Sequence, residues 1–93
     1  MKNNNTKYFS TPSLDIVALL LVKGHTLLRI DPNPQDSRQL LMFFDYSPDI
    51  DSLLDDYYAD KVEVPALSFF KQQQRLKNMI WMKKRNEYRE SVR

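Results

Sequence analysis

Residues 14–24, LDIVALLLVKG, constrain the fold of this chain more than any other stretch. Leu14, Val17, Ala18 and Leu21 follow the i, i+3, i+4, i+7 rhythm of one helix face, while Ile16, Leu19 and Leu20 occupy the remaining sides. A helix that is apolar on nearly every side has to be covered on nearly every side, so other elements must pack around it. Its ends are marked as well. Thr11 is placed to cap it, with Pro12 at the first helical position, where a missing N–H costs nothing, and Asp15 suits the positive end of the helix dipole. Gly24, the only glycine of the chain, stands where a left-handed residue closes a helix, and Lys23 suits the last turn.

The covering elements can be read on either side. KYFST, residues 7–11, is short and aromatic and fits an edge strand or extended lead-in. HTLLRID and RQLLMFFDY are runs of strand length on either side of PNPQDS, a segment of turn formers. An antiparallel pair follows, with a connection longer than a two-residue hairpin and a mobile tip. A second helix opens at SPDIDS, with Ser47 as cap and Pro48 at the first helical position. Ile50, Leu53, Leu54, Tyr57 and Tyr58 form its apolar stripe. After the extended VEV, Pro65 starts a last helix that nothing breaks from Ala66 to about Tyr88, a length of roughly 30 Å. Phe69, Leu76 and Ile80, flanked by Phe70 and Met79, make its inward stripe. Gln73 sits within that stripe and needs a partner if buried.

Ninety-three residues suffice for one core and one domain. We expect a tail at 1–6, a single domain over 7–82 and a basic helical extension over 83–93. The fold class expected is α+β: a small antiparallel sheet packed with two helices, plus the long C-terminal helix. The absence of cysteine excludes disulfides and thiolate chemistry, and points to a cytoplasmic protein. The apolar run IVALLLV is far shorter than the roughly 18–20 residues of a membrane span, and MKNNNTKYFS has no signal-peptide core, so no membrane partner is expected.

Charge is divided along the chain. Residues 1–67 hold six Lys/Arg against ten Asp/Glu, whereas residues 68–93 hold eight Lys/Arg against two Glu, a net of +6. Local fields of this kind steer partners more than the overall +2 does. The basic end carries Lys71, Arg75, Lys77, Lys83, Lys84, Arg85, Arg89 and Arg93, with Trp81 and Tyr88 among them. Such a set can neutralise several phosphates while an aromatic ring stacks or wedges. The same residues suit a protein partner, because Trp and Arg dominate interface hot spots, with Met79 and Met82 as further apolar anchors. The bland alternative is a solvated helix end whose Trp81 packs back on the domain.

The other candidates carry less chemistry. Asp45, Asp49, Asp51, Asp55 and Asp56 invite a metal-site reading. A calcium loop, however, needs a further oxygen ligand and then a glycine after Asp51, where this chain has Leu53 and Leu54. A solvated acidic helix face explains them, and no metal or other cofactor is expected. His25 is the only histidine and stands alone, and no glycine-rich phosphate loop exists, so an enzyme is not expected. Phe43 and Phe44 are neighbours on a strand and face opposite sides; if the second face is open, its ring becomes a stacking candidate.

The stretches YFSTPSLDIVALLLVKGHTLLRID, LLMFFDYSPDIDSLLDDYY and VEVPALSFFKQQQRLKNMI resemble a family of small uncharacterised domains from bacteria, phages and mobile elements. The residues that carry the resemblance are Phe9, Thr11, Asp15, Gly24, Phe43, Phe44 and Asp45 in the first half. Tyr58, Val64, Phe70, Leu76, Lys77 and Ile80 carry it in the second. It covers about residues 8–82. Asp15 lies later after Thr11 than the pattern has it, and the basic end runs past where such domains often stop. The resemblance implies a compact α+β domain in a mobile-element context and brings no activity with it.

These readings converge on a non-enzymatic nucleic-acid-associated accessory protein of a phage or mobile element. Its contact residues would be Lys77, Trp81, Lys83, Lys84, Arg85, Tyr88 and Arg89. The alternative is a small protein–protein interaction module, an adaptor or phage-encoded inhibitor, that uses the same helix. In a variant of it, Asp51, Asp55 and Asp56 imitate phosphates toward a basic protein. A basic surface continuous with Arg29 and Arg38 would favour nucleic acid, and an exposed apolar stripe on the last helix would favour a dimer or a bound protein.

Overall fold

The structure, a computed structural model, describes residues 7–92, with side chains through residue 85. The expected tail at 1–6 and Arg93 lie outside the described residues. The elements run β1 (Tyr8–Thr11), α1 (Leu14–Val22), β2 (Leu27–Asn33), β3 (Asp36–Asp45), α2 (Pro48–Tyr58) and α3 (Ala66–Val92). The fold is α+β, with a three-stranded antiparallel sheet in the order β1-β3-β2 and three helices.

α1 sits at the centre, as its all-round apolar sequence requires. Val17, Ala18 and Leu20 have no exposed surface. They form one cluster with Ile16, with Met42 and Phe44 of β3, with Ile50 of α2 and with Leu76 of α3. The sheet covers one side of α1 and α3 packs on it from another. Each fully buried aliphatic side chain contributes roughly 1.5–3 kcal/mol, so this helix anchors the core.

The start of α1 corrects the expected cap. Thr11 is the last residue of β1, paired with Met42 and buried, and its hydroxyl oxygen accepts from the Ser13 N–H. Ser13 is the N-cap: its Oγ accepts from the Ile16 N–H at 3.3 Å. Strand pairing takes Thr11 out of the competition, and the next hydroxyl residue after Pro12 fills the role. The C-terminus follows the expectation. Gly24, at φ +99°, lets its own N–H reach the Leu21 carbonyl and the His25 N–H reach that of Leu20.

The connection between β2 and β3 is tighter than expected. Asn33 pairs with Asp36, which leaves only Pro34 and Gln35 in the turn. Side chains hold it: Asn33 Oδ1 accepts from the Gln35 N–H, and Asp36 Oδ1 accepts from the Arg38 N–H. The stretch read as a loop is therefore mostly strand, closed by its own Asn and Asp.

α2 begins where Ser47 and Pro48 place it, yet the Ser47 hydroxyl makes no capping bond and is buried without a partner. Ile50 is fully buried, and Leu53, Leu54 and Tyr57 pack beside it, but Tyr58 is 72% exposed and leaves the stripe. The helix closes with Asp60 in the left-handed region, φ 61°, where the Asp60 and Lys61 N–H groups reach the Tyr57 and Asp56 carbonyls.

Candidate functional site

Among the described side chains of α3, one row faces the core. Leu76 is buried, and Phe69 and Ile80 pack against the central cluster. Phe70 and Met79, expected in that row, are 54% and 39% exposed. Each lies one position from a core residue, and one position turns a helix by about 100°, so both rotate off the seam. Gln73 does find a partner: its Nε2 donates to Asp15 Oδ1 of α1 at 2.6 Å.

Ile80 is the last core contact among the described side chains, but the helix does not end there. All 27 residues of α3 form one helix, about 40 Å long at the usual rise. Trp81 is 60% exposed and is not among the side chains that pack on the central cluster. The Arg85 guanidinium lies 5.1 Å from the centroid of its ring, one helical turn on. Lys77 and Lys84 are exposed, and Lys83 is half-buried. Tyr88 and Arg89 lie outside the residues whose side chains are described. Leu67 at 65% and Met82 at 55% add to the apolar surface that α3 turns away from the core.

Lys84 has a neighbour from far along the chain. It lines an open cleft of about 390 Å³ together with Arg38 and Gln39 of β3, and Pro12, Leu14, Leu40, Met42 and Ile80 supply the apolar part of the lining. Arg38 holds Asp36 at 3.3 Å, but its side chain is 90% exposed, and an ion pair that open to water constrains it little. The basic end of α3 is thus joined by Arg38.

Arg29 is placed elsewhere. Leu40, Met42 and Phe44 point to the core, so Leu41 and Phe43 between them face the other side of the sheet. On that side the Arg29 guanidinium lies 4.2 Å from the Phe43 ring centroid and 5.4 Å from that of Tyr8, and its Nε donates to Asp31 Oδ2 at 2.6 Å. The half-buried Phe43 ring on this second face already holds a cation. Sequence reasoning singled out Phe43 but not this stack, because it depends on cross-strand register.

Of the acidic candidates, Asp45 ends β3 and Asp49, Asp51, Asp55 and Asp56 lie on α2. Asp51, Asp55 and Asp56 are all exposed on α2. Asp51 accepts a hydrogen bond from the Tyr46 hydroxyl, and that bond, with some burial and the Asp51 charge, holds the Tyr46 pKa above its ordinary value. The Lys7 ammonium lies 4.6 Å over the same ring. Among the described residues no group of three His, Cys, Asp or Glu side chains is arranged to hold a metal ion, and no helix is long and apolar enough to cross a membrane. His25 is half-buried and lines a second cleft, of about 300 Å³, with Arg75, Gln72 and Met79.

One family model matches the chain, described as a domain of unknown function (DUF5659), over residues 6–82. That span contains the stretch on which the resemblance was drawn. No curated protein and no solved structure matches the chain.

Proposed function

The chain belongs to that family, whose function is unknown, and from the surfaces of this member we propose a non-enzymatic accessory protein that binds nucleic acid through α3. The observation that carries this reading is the continuation of one unbroken helix past its last described core contact at Ile80, within a segment of net charge +6. There Trp81 stands exposed with Arg85 against its ring. A charged helix that is not needed for packing is free to lie along a phosphate backbone, and an aromatic ring with a guanidinium beside it adds a stacking surface. Arg38 extends the same surface toward the sheet. Lys77, Lys83, Lys84 and Arg85, with Arg89 and Tyr88 further along the helix, supply the contacts. A cytoplasmic setting and a phage or mobile-element origin complete the proposal; the origin rests on the resemblance alone.

A second reading is favoured by a specific observation. Leu67, Phe70, Trp81 and Met82 are each more than half exposed on α3, which is what a protein-binding helix offers. In that reading the cations form the rim of an interface with an acidic partner.

Fluorescence anisotropy of labelled DNA and RNA across a salt series, with the full chain and a variant ending at Met82, separates the two. Micromolar or tighter binding that weakens steeply with salt and disappears on truncation supports the phosphate grip. No binding at low salt refutes it and leaves the protein-binding helix, with Trp81 as its anchor.

A further inference from the structure

The cleft between Arg38 and Lys84 says more about the kind of nucleic acid than a basic helix can. A duplex presents only phosphates and groove edges to such a helix, and its bases stay stacked. This cleft instead combines apolar lining from Leu14, Leu40, Met42 and Ile80 with the polar Gln39 and the cations Arg38 and Lys84. Its volume of about 390 Å³ falls within the range of roughly 300–1,000 Å³ typical of small-ligand sites. We infer that the cleft takes one unstacked base of a single-stranded nucleic acid, with Arg38 and Lys84 on the flanking phosphates and the neighbouring base on Trp81. This inference rests on the nucleic-acid reading of α3 and narrows it to single strands.

The helix geometry supports the second half of the arrangement. Lys84 follows Ile80 by one turn and stands on the same side, at the edge of the cleft. Trp81 and Lys84 are three positions apart, and such positions are neighbours on a helix, about 5–6 Å between Cβ atoms. A strand that leaves the cleft over Lys84 therefore meets the Trp81 ring next, and Arg85 already holds that ring from the following turn. The charges match too. Arg38 and Lys84 bring two cations to the cleft, and among the described residues the carboxylate paired with them is Asp36, through a bond from Arg38 that solvent already competes for. A phosphate oxygen can take over the Arg38 contact at little cost.

The test compares three ligands of equal length by anisotropy at one salt concentration: oligothymidine, a backbone carrying abasic sites in place of the bases, and a duplex. Oligouridine serves as the RNA arm and tells DNA from RNA. Arg38→Glu is the protein variant; the side chain is exposed, so the fold should hold, and circular dichroism checks that it does. The inference expects the single strand to bind about tenfold tighter than either the abasic backbone or the duplex, and Arg38→Glu to weaken it by about tenfold or more. Equal affinity for all three ligands overturns base insertion and leaves the phosphate grip standing. A preference for bases that survives Arg38→Glu and vanishes with Trp81→Ala also overturns it, because stacking on α3 alone then suffices. If no ligand binds even at low salt, the cleft and the nucleic-acid reading fall together, and an acidic protein becomes the occupant to seek.

Discussion

α1 and α3 pack against each other, yet they put their side chains to opposite uses. In α1 five of nine residues are buried, and its faces are covered by the sheet, by α2 and by α3. In α3 a single row reaches the core, through Phe69, Leu76 and Ile80, while Leu67, Phe70, Trp81 and Met82 are left to solvent beside the cations. The first helix is fully occupied by folding. The second contributes to folding along one edge and keeps the rest of its surface available, so the candidate site lies there.

The largest effect that can break this contrast is a matched pair of truncations. Leu20→Ala removes a fully buried side chain from α1 and should cost about 2–5 kcal/mol in urea unfolding. Trp81→Ala removes a larger side chain from α3, but one that is 60% exposed, and should change stability by no more than about 0.5 kcal/mol. If Trp81→Ala proved as destabilising as Leu20→Ala, the ring would be a core residue, and neither a stacking nor a docking role could rest on it.

Much of α1 can be read from the chain itself, because periodicity, glycine and dipole all point to the same limits. The N-cap falls at Ser13 and not at Thr11 for a physical reason. TPS offers Thr11 and Ser13 as competing caps, and only the β1–β3 pairing, a contact between distant segments, withdraws Thr11. The closing of α2 was hidden because Asp60 takes the left-handed position that Gly24 takes after α1, and an aspartate there carries no comparable signal. Of the candidate site, the residues of α3 were legible from charge and spacing. The pairing of Arg38 with Lys84 across one cleft, and the stacking of Arg29 on Phe43, were not, because strand register decides both.

The caps sharpen the comparison at a smaller scale. Ser13→Ala deletes an acceptor that the Ile16 N–H uses and should cost about 1 kcal/mol. Ser47→Ala, at the corresponding position of α2, deletes a buried hydroxyl without a partner and should be neutral or slightly stabilising. The two serines look alike in sequence, since each precedes a helix with an acid in its first turn. Thermal melts of the pair would show whether α1 is secured at its end as well as along its faces. Equal losses would mean that the Ser47 hydroxyl finds an acceptor or donor in solution.

The smallest expected effect concerns the helix between these extremes. α2 is held by Ile50 in the core and, at its first turn, by the Tyr46 hydroxyl donating to the Asp51 carboxylate. That bond, more than burial or the Asp51 charge, raises the Tyr46 pKa in the folded protein, because the phenol must keep its proton to donate. Folding therefore favours the protonated form. Below the ordinary tyrosine value of about 10 both folded and unfolded chains carry the proton, and the contribution is present in full. As pH rises past that value the unfolded chain ionises first, and the contribution is lost as the folded pKa is passed. Tyr46→Phe should lower the melting temperature slightly at neutral pH, and the difference from the parent should shrink in strongly alkaline buffer. A difference that stayed constant with pH would mean that the hydroxyl contributes by something other than its bond to Asp51, because the ring under Lys7 is common to both proteins. The buried run of α1 holds no titratable side chain, so in the Tyr46→Phe variant any remaining alkaline loss must come from outside that helix.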